Sequence, residues 1–192
     1  SWIFLVRIMS HFGSQALAGY TIGIRVIVFT LMPAFGMANA AATMVGQNLG
    51  AKQPDRAESA VWRAGFFNVI FMGFIMVIFL LLSKPIVSFF TTDPAVIESA
   101  ASCLSIVSLG YLFYAYGMII AQSFNGAGDT RTPTILNFFI FWLFQIPLAY
   151  TLAIIMNLGP QGVFAAIVIS ESALTVVGYL VFKKGKWKLK EI

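Results

Sequence analysis

The sequence contains few charged residues, one cysteine and one histidine. Only 10% of its 192 residues are Asp, Glu, Lys or Arg, whereas 59% are hydrophobic. A soluble domain carries charge on about a quarter of its residues, so a surface in contact mainly with water is excluded. The single Cys103 excludes an internal disulfide and a cysteine metal cluster, and the single His11 argues against a histidine metal site.

The common sequence signatures of catalysis are also missing. The chain has no GxSxG, no HExxH and no P-loop, and the glycine-rich stretch at Gly126-Ala127-Gly128 is not followed by GK[ST]. The sequence therefore predicts that the protein is not an enzyme and carries no bound cofactor.

Long hydrophobic stretches fill most of the chain. A helix that crosses a bilayer needs about 20 mostly apolar residues, and five stretches reach that length. The sequence thus predicts an all-α polytopic membrane protein embedded in a lipid bilayer. Ser1–Phe12, apolar apart from Arg7 and His11, is too short to span and is predicted to be the second half of a further helix, which would make residues 1–192 a fragment. The five spans are Ala16–Met44, Val61–Leu82, Val96 to about Phe124, Thr134–Met156 and Gly162–Phe182.

The positive charges predict the orientation in the membrane. The net charge is +5, but five of the lysines follow the last span, which favours an anchor at anionic lipid head groups over nucleic-acid binding. Nine Lys and Arg residues lie in loops or the tail on one side, against Lys84 alone on the other. The positive-inside rule therefore places the C-terminus in the cytoplasm. The nine are Lys52, Arg56, Arg63, Arg131, Lys183, Lys184, Lys186, Lys188 and Lys190.

Residues near the predicted span ends are typical of helix starts. Asp55 and Glu58 fit a capping box that opens the third span, numbering the half-helix as the first. Asp93 and Thr132, each followed by proline, are predicted N-caps of the fourth and fifth spans.

Polar residues inside the predicted spans form two stripes. On the second span they recur three, four or seven residues apart, which places them on one helix face. A similar stripe lies on the fourth span, and Asn137, Gln145 and Asn68 are further polar residues inside spans. The first stripe is Arg25, Met32, Gly36, Asn39, Thr43 and Gln47, and the second is Tyr111, Tyr114, Met118, Gln122 and Asn125.

Two interpretations of these stripes stay open. Each Asn, Gln or Thr alone is typical of a hydrogen bond between helices. Together, the mixture of polarisable and hydrogen-bonding groups favours a cavity for bulky, partly apolar solutes. The predicted substrate-binding residues are Met32, Gly36, Asn39, Thr43, Tyr111, Tyr114, Met118, Gln122, Asn137 and Gln145.

Glu171 is the one carboxylate deep within a predicted span. An ionisable residue at such a depth is a candidate functional site. Glu171 could hold a proton, contact a cation, or pair with Arg25 or Arg7. In the last case it would be a fixed ion pair that orders the helices. We predict Glu171 as the candidate ion-coupling residue of this chain.

Four motifs, in order, resemble those of the multidrug and toxic compound extrusion (MATE) transporters, especially their bacterial DinF-like branch. The resemblance covers essentially the whole chain. It is carried by the run from Asn39 to Ala51 (NAAATMVGQNLGA), by Gln122 to Thr130 (QSFNGAGDT), by Ile146 to Tyr150 (IPLAY), and by Glu171 with the tail Gly185 to Lys188 (GKWK).

The resemblance implies a twelve-helix antiporter of two six-helix lobes, of which this chain is the C-terminal lobe from the middle of the seventh helix. The N-terminal lobe would be its missing partner. Such proteins lie in the bacterial plasma (inner) membrane and expel small cationic or amphipathic organic compounds, driven by Na⁺ or H⁺. The second and fourth spans would be the eighth and tenth helices, which border the central cavity.

One difference from the family concerns ion coupling. Some members carry an Asp in the middle of the tenth helix, but residues 110–121 contain no acid, and Tyr114 or Ala115 occupies that place. The resemblance therefore favours coupling through acids of the N-terminal lobe, with Glu171 as the candidate within this chain.

Two other functions remain as alternatives. The first is a flippase for lipid-linked precursors from the same superfamily, which a basic cavity would favour. The second is a membrane scaffold that transports nothing, which predicts that both polar stripes are buried in helix contacts.

Overall fold

The computed structural model describes residues 1–189, and these form a bundle of helices. Lys190, counted above in the basic tail, lies outside the described residues. A short 3-10 turn at Lys186–Leu189 follows the last long helix. The helices are α1 (Trp2–Ser10), α2 (Ser14–Gly50), α3 (Pro54–Ser88), α4 (Pro94–Ser108), α5 (Tyr111–Gly126), α6 (Arg131–Ile155) and α7 (Pro160–Lys183).

The helices confirm the predicted all-α membrane architecture. By length and composition, α2, α3, α6 and α7 can each cross a bilayer, and α4 with α5 can form a fifth, bent span. Several helices extend beyond the predicted apolar stretches. Helix α2, for example, has 37 residues. The short α1 packs against α2 and α6.

The span predicted between Val96 and Phe124 is broken rather than continuous. Helices α4 and α5 are bent by 61°. Helix α4 ends in tight turns, in which the Leu109 and Gly110 amides donate to carbonyls three residues earlier, at 3.2 and 3.1 Å. A Cβ atom on Gly110 would lie 3.2 Å from the Val168 Cγ1 atom of α7. The missing side chain thus lets α7 pack closely against the bend.

Helix α6 is irregular around its proline. The chain is π-helical at Phe139–Gln145 and Thr151–Ile155, on either side of an α-helical turn that contains Pro147. Proline lacks the N–H group that an α-helix uses and crowds the carbonyl four residues earlier. A wider helical turn on each side of Pro147 accommodates both effects.

Two of the three predicted helix caps are wrong. Asp93 caps α4 as predicted, because its Oδ1 accepts from the Ala95 and Val96 amides at 2.9 and 3.4 Å. Helix α3 begins at Pro54, so Asp55 lies inside its first turn and is not the N-cap; the helix has no side-chain cap, and Glu58 pairs with Lys188. At the start of α6, Asp129 takes the capping role, since it accepts from the amide of Thr132 at 3.3 Å and from its hydroxyl at 2.7 Å.

The core lies where α2 and α3 pack against the bent pair α4–α5. Helix α7 packs on the other side of α5 and α4, and α6 lies at the periphery against α7. Asn68 of α3 is fully buried and donates to the Ala115 carbonyl of α5 at 2.9 Å. This side chain joins two helices, which is the ordinary role of a buried amide between helices.

The C-terminal turn folds back onto the bundle. Gly185 has a φ of 70°, a conformation that glycine adopts without steric cost, and it reverses the chain after α7. Trp187 is 1% exposed, stacks on Phe182 with ring centroids 4.5 Å apart, and donates from Nε1 to the Phe182 carbonyl at 3.0 Å. Lys188 pairs with Glu58 and, at 3.5 Å, with Asp55. Lys188 therefore joins the tail to α3 and is not free to act as a head-group anchor.

We expect Trp187→Phe to lower the free energy of unfolding by about 1–2 kcal/mol, because the ring stack survives but one hydrogen bond and some packing are lost. Thermal unfolding in detergent measures this effect. Trp142→Phe is the matched control, because Trp142 is 48% exposed and should tolerate the change. Equal losses in the two variants would contradict the structural role of Trp187.

Candidate functional site

The polar stripe of α2 lies on an open face of the chain. All six of its residues are exposed, and Met32 reaches 62%. Ala34, Ala38 and Ala41, on another face of α2, are fully buried against the neighbouring helices. Helix α2 therefore presents Met32, Gly36, Asn39 and Thr43 outward from this chain, together with Arg25 and Gln47.

A cavity of about 220 Å³ lies between α5, α6 and α7, with Phe35 of α2 at its edge. Five of the predicted site residues line it, although they are far apart in the sequence. They are Tyr114, Met118, Gln122, Asn137 and Glu171. The structure thus brings four of the five residues of the second stripe, all but Tyr111, together with Glu171.

Thr175 holds the turn of α7 that carries Glu171 against α5. Its hydroxyl lies 3.0 Å from the Glu171 carbonyl within α7 and 2.9 Å from the Phe113 carbonyl of α5. Gly117 of α5 lies opposite, and a Cβ atom there would collide with the Thr175 hydroxyl. Glu171 lines the same cavity as Tyr114 of α5, whose hydroxyl interacts with the carboxyl group.

Glu171 has no ion-pair partner in the described part of the chain, so the structure does not support the alternative of a fixed pair with Arg25 or Arg7. Arg25 is exposed on the α2 stripe, and Arg7 lines a separate groove with His11 between α1 and α6. No Lys, Arg or His lines the cavity. A partly buried carboxylate without a basic neighbour is costly unless a proton or another cation neutralises it.

Amide groups supply the rest of the cavity's polarity. Gln122 accepts from the side-chain amide of Asn125 at 3.0 Å, and Asn137 of α6 lies across from them on an exposed position. These amides can donate or accept hydrogen bonds. The cavity is therefore polar at its amide end and acidic at Glu171. Among residues 1–189 no three His, Cys, Asp or Glu side chains group together as a metal site would require.

Besides the four residues of α2, two further predicted site residues lie away from this cavity. Tyr111 is 2% exposed, packs against Phe79, and its hydroxyl is 3.4 Å from the Thr30 hydroxyl. Gln145 of α6 is 3% exposed. Both side chains are therefore buried within the described structure.

The apolar residues that line the cavity were not predicted from the sequence. Phe35, Phe141 and Leu174 line it, and the carboxyl group of Glu171 lies among them. Apolar residues are so common in these helices that nothing in the sequence separates a cavity wall from a lipid-facing or core position. Thr175 carried a weak signal, since it lies one turn after Glu171 on the same helix face.

Comparison with known proteins identifies the family. The MatE family profile matches residues 1–151. The chain belongs to the MATE family. The probable multidrug resistance protein NorM of Thermotoga maritima is 27% identical over 180 residues, which are 94% of this chain and 39% of that protein. The probable multidrug resistance protein NorM of Caulobacter vibrioides is 31% identical over 172 residues, which are 88% and 35% of the two chains.

Solved structures show the same fold. A MOP superfamily transporter from Pyrococcus furiosus superposes with a TM-score of 0.92 at 22% identity, covering 100% of this chain and 43% of that one. Inward-facing and outward-facing structures of a multidrug resistance MATE transporter match almost equally, with TM-scores of 0.88 and 0.89 at 22% identity. They cover 98% and 96% of this chain, and 44% and 42% of theirs.

These comparisons confirm the predicted half of a twelve-helix MATE fold, since the chain spans about two fifths of the length of the relatives it matches. The DinF-like branch and the roles of the individual site residues stay predictions.

Proposed function

We propose that this chain is the C-terminal half of a cation-coupled antiporter that exports cationic or amphipathic organic compounds. The observation that carries the proposal is the cavity of a MATE-family chain, which contains one carboxylate and no basic side chain. Such a cavity favours a positively charged solute or a coupling cation, either Na⁺ or H⁺. As the candidate ion-coupling residue, Glu171 would bind that cation.

The size of the cavity supports a shared binding site. Pockets that enclose a drug-sized ligand have volumes of roughly 300–1,000 Å³, and this cavity measures about 220 Å³. It can hold the charged or aromatic end of a substrate between Phe35, Phe141 and Glu171. We propose that the remainder contacts the exposed stripe of α2 and a second lobe that faces this stripe.

Alternating access then follows from rocking of the two lobes around the shared site, as is typical of transporters built from repeats. The similar match to inward-facing and outward-facing relatives supports a lobe that keeps its fold while it moves. We further propose that the protein lies in the bacterial inner membrane with its C-terminus in the cytoplasm, because of the distribution of its lysines and arginines.

The two alternatives have less support. A flippase for lipid-linked precursors needs cations near the phosphates, but the cavity has none, and Arg7 and Arg25 lie elsewhere. A scaffold predicts buried stripes, whereas the α2 stripe is exposed in this chain. Neither observation favours these functions over export.

The test compares two proteins in liposomes loaded with ethidium. The complete gene product that contains this sequence is expected to move ethidium when a Na⁺ or H⁺ gradient is imposed, and separate gradients identify the ion. Residues 1–192 alone should give no gradient-dependent transport, because half of the shared site is absent. Transport by this chain alone, or none by the complete protein with either ion, would overturn the proposal.

A further inference from the structure

A shallow, open groove runs along one face of α3 where this helix leaves the membrane. It lies apart from the cavity at Glu171 and shares no residue with it. Its lining residues recur three or four positions apart, so they form a single stripe along the helix. They are Asp55, Glu58, Ser59, Trp62, Arg63, Phe66 and Phe67.

The chemistry of the stripe changes in order along the helix axis. At the membrane end, Phe66 and Phe67 are 57% and 62% exposed within the apolar run of α3. Arg63 follows about one turn toward the aqueous end, and Ser59 lies one turn beyond it. The stripe ends at Asp55, whose side chain is 98% exposed. From bilayer to water the groove is thus apolar, positive, hydroxyl-bearing and negative.

The charges of the groove are only partly satisfied within the chain. Glu58 accepts from the Trp62 indole N–H at 3.2 Å and pairs with Lys188, which is also 3.5 Å from Asp55. The hydrogen bond to Glu58 raises the pKa of Lys188, so its ammonium group stays charged at neutral pH. Two carboxylates therefore share one cation, and one negative charge is left over.

Arg63 carries the opposite, uncompensated charge. Among residues 1–189 its guanidinium makes no hydrogen bond and no ion pair, and it is exposed in the groove. A guanidinium presents several donors in a plane and binds phosphate through paired hydrogen bonds. Long basic side chains near a helix end also extend toward the head-group region. Arg63 is therefore placed to bind an anion at the edge of the bilayer.

We infer that this groove binds phosphatidylethanolamine, a membrane phospholipid whose order of groups matches the order of the stripe. Its acyl chains lie over Phe66 and Phe67, its phosphate accepts from Arg63, and its primary ammonium donates to Asp55. A phosphatidylglycerol head group has no cation for the acidic end of the groove. The trimethylated ammonium of phosphatidylcholine has no N–H to donate to a carboxylate.

The experiment measures lipid binding to the complete, detergent-purified protein by native mass spectrometry. Phosphatidylethanolamine, phosphatidylcholine and phosphatidylglycerol with identical acyl chains are titrated separately. Wild type is expected to bind phosphatidylethanolamine most tightly. Arg63→Gln should weaken that binding about tenfold, because charge-assisted hydrogen bonds to the phosphate are lost. Asp55→Asn should mainly remove the preference over phosphatidylcholine.

Arg56→Gln is the matched control. Arg56 also lies near the start of α3, donates to Gln53 at 2.9 Å, and does not line the groove. Its replacement therefore removes the same charge as Arg63→Gln without changing the groove. Equal binding of phosphatidylethanolamine and phosphatidylcholine by wild type, tighter binding of phosphatidylglycerol, or equal weakening by Arg56→Gln and Arg63→Gln would overturn the inference. The readout involves no transport, so it is independent of the proposed export function.

Discussion

Gly126→Ala is expected to destabilise the protein by about 1–3 kcal/mol, although alanine ordinarily favours helix. Gly126 ends α5 where this helix crosses α2. A Cβ atom there would lie 2.7 Å from the Ala42 Cα atom and 2.8 Å from its carbonyl carbon. These are backbone atoms, so no side chain can rotate away, and the two helices must separate.

Gly46 of α2 makes the reciprocal close contact, which increases the expected loss of stability. A Cβ atom on Gly46 of α2 would lie 3.2 Å from the Gly126 carbonyl oxygen. The C-terminal ends of α2 and α5 therefore meet backbone to backbone, the arrangement for which small residues are selected between membrane helices. Separating them would also shift α5, which carries Tyr114, Met118 and Gln122 of the cavity.

Thermal unfolding of the purified protein measures the effect, with Gly50→Ala as the matched control. Gly50 is the last residue of α2, and nothing lies within 4 Å of an added Cβ atom. It should keep or gain stability. If Gly126→Ala unfolds at the same temperature as Gly50→Ala, the close helix contact is contradicted.

Glu171→Gln is expected to reduce gradient-driven export roughly 30-fold or more, because removing one partner of a buried charge pair costs about 2–5 kcal/mol. Glutamine keeps the length of the side chain and can still contact the Tyr114 hydroxyl. It cannot take up a proton or neutralise a cation at neutral pH. The variant therefore separates the charge of Glu171 from its packing.

The sequence predicted the number and type of helices because hydropathy and span length are local properties. The break between α4 and α5 could not be predicted, since the apolar stretch is continuous there. At the bend Gly110 packs against Val168 of α7, two residues that only the fold brings together. Likewise, the sequence around Glu58 is typical of a capping box, whereas the fold places Lys188 of the tail beside Glu58 and the two side chains pair.

The two polar stripes could be predicted only in part, again because burial depends on contacts between helices that the sequence does not show. The helical period correctly grouped the α2 residues on one face, but the period does not say whether that face is buried. On α5 the stripe divides, because Tyr111 lies directly after the bend and points into the core, whereas Tyr114 faces the cavity. Glu171 was identified by its depth in a span, and its lack of a basic partner required the fold.

The most direct test of the central claim, that Glu171 binds a cation during export, is ethidium efflux from cells expressing the complete protein. Glu171→Gln is compared with Glu98→Gln, which removes a carboxylate from an exposed position of α4 outside the cavity. Equal amounts of each variant in the membrane are confirmed by immunoblot. We expect Glu98→Gln to export at the wild-type rate and Glu171→Gln to lose gradient-driven efflux. Unchanged, gradient-dependent efflux in Glu171→Gln would contradict it and assign Glu171 a structural role.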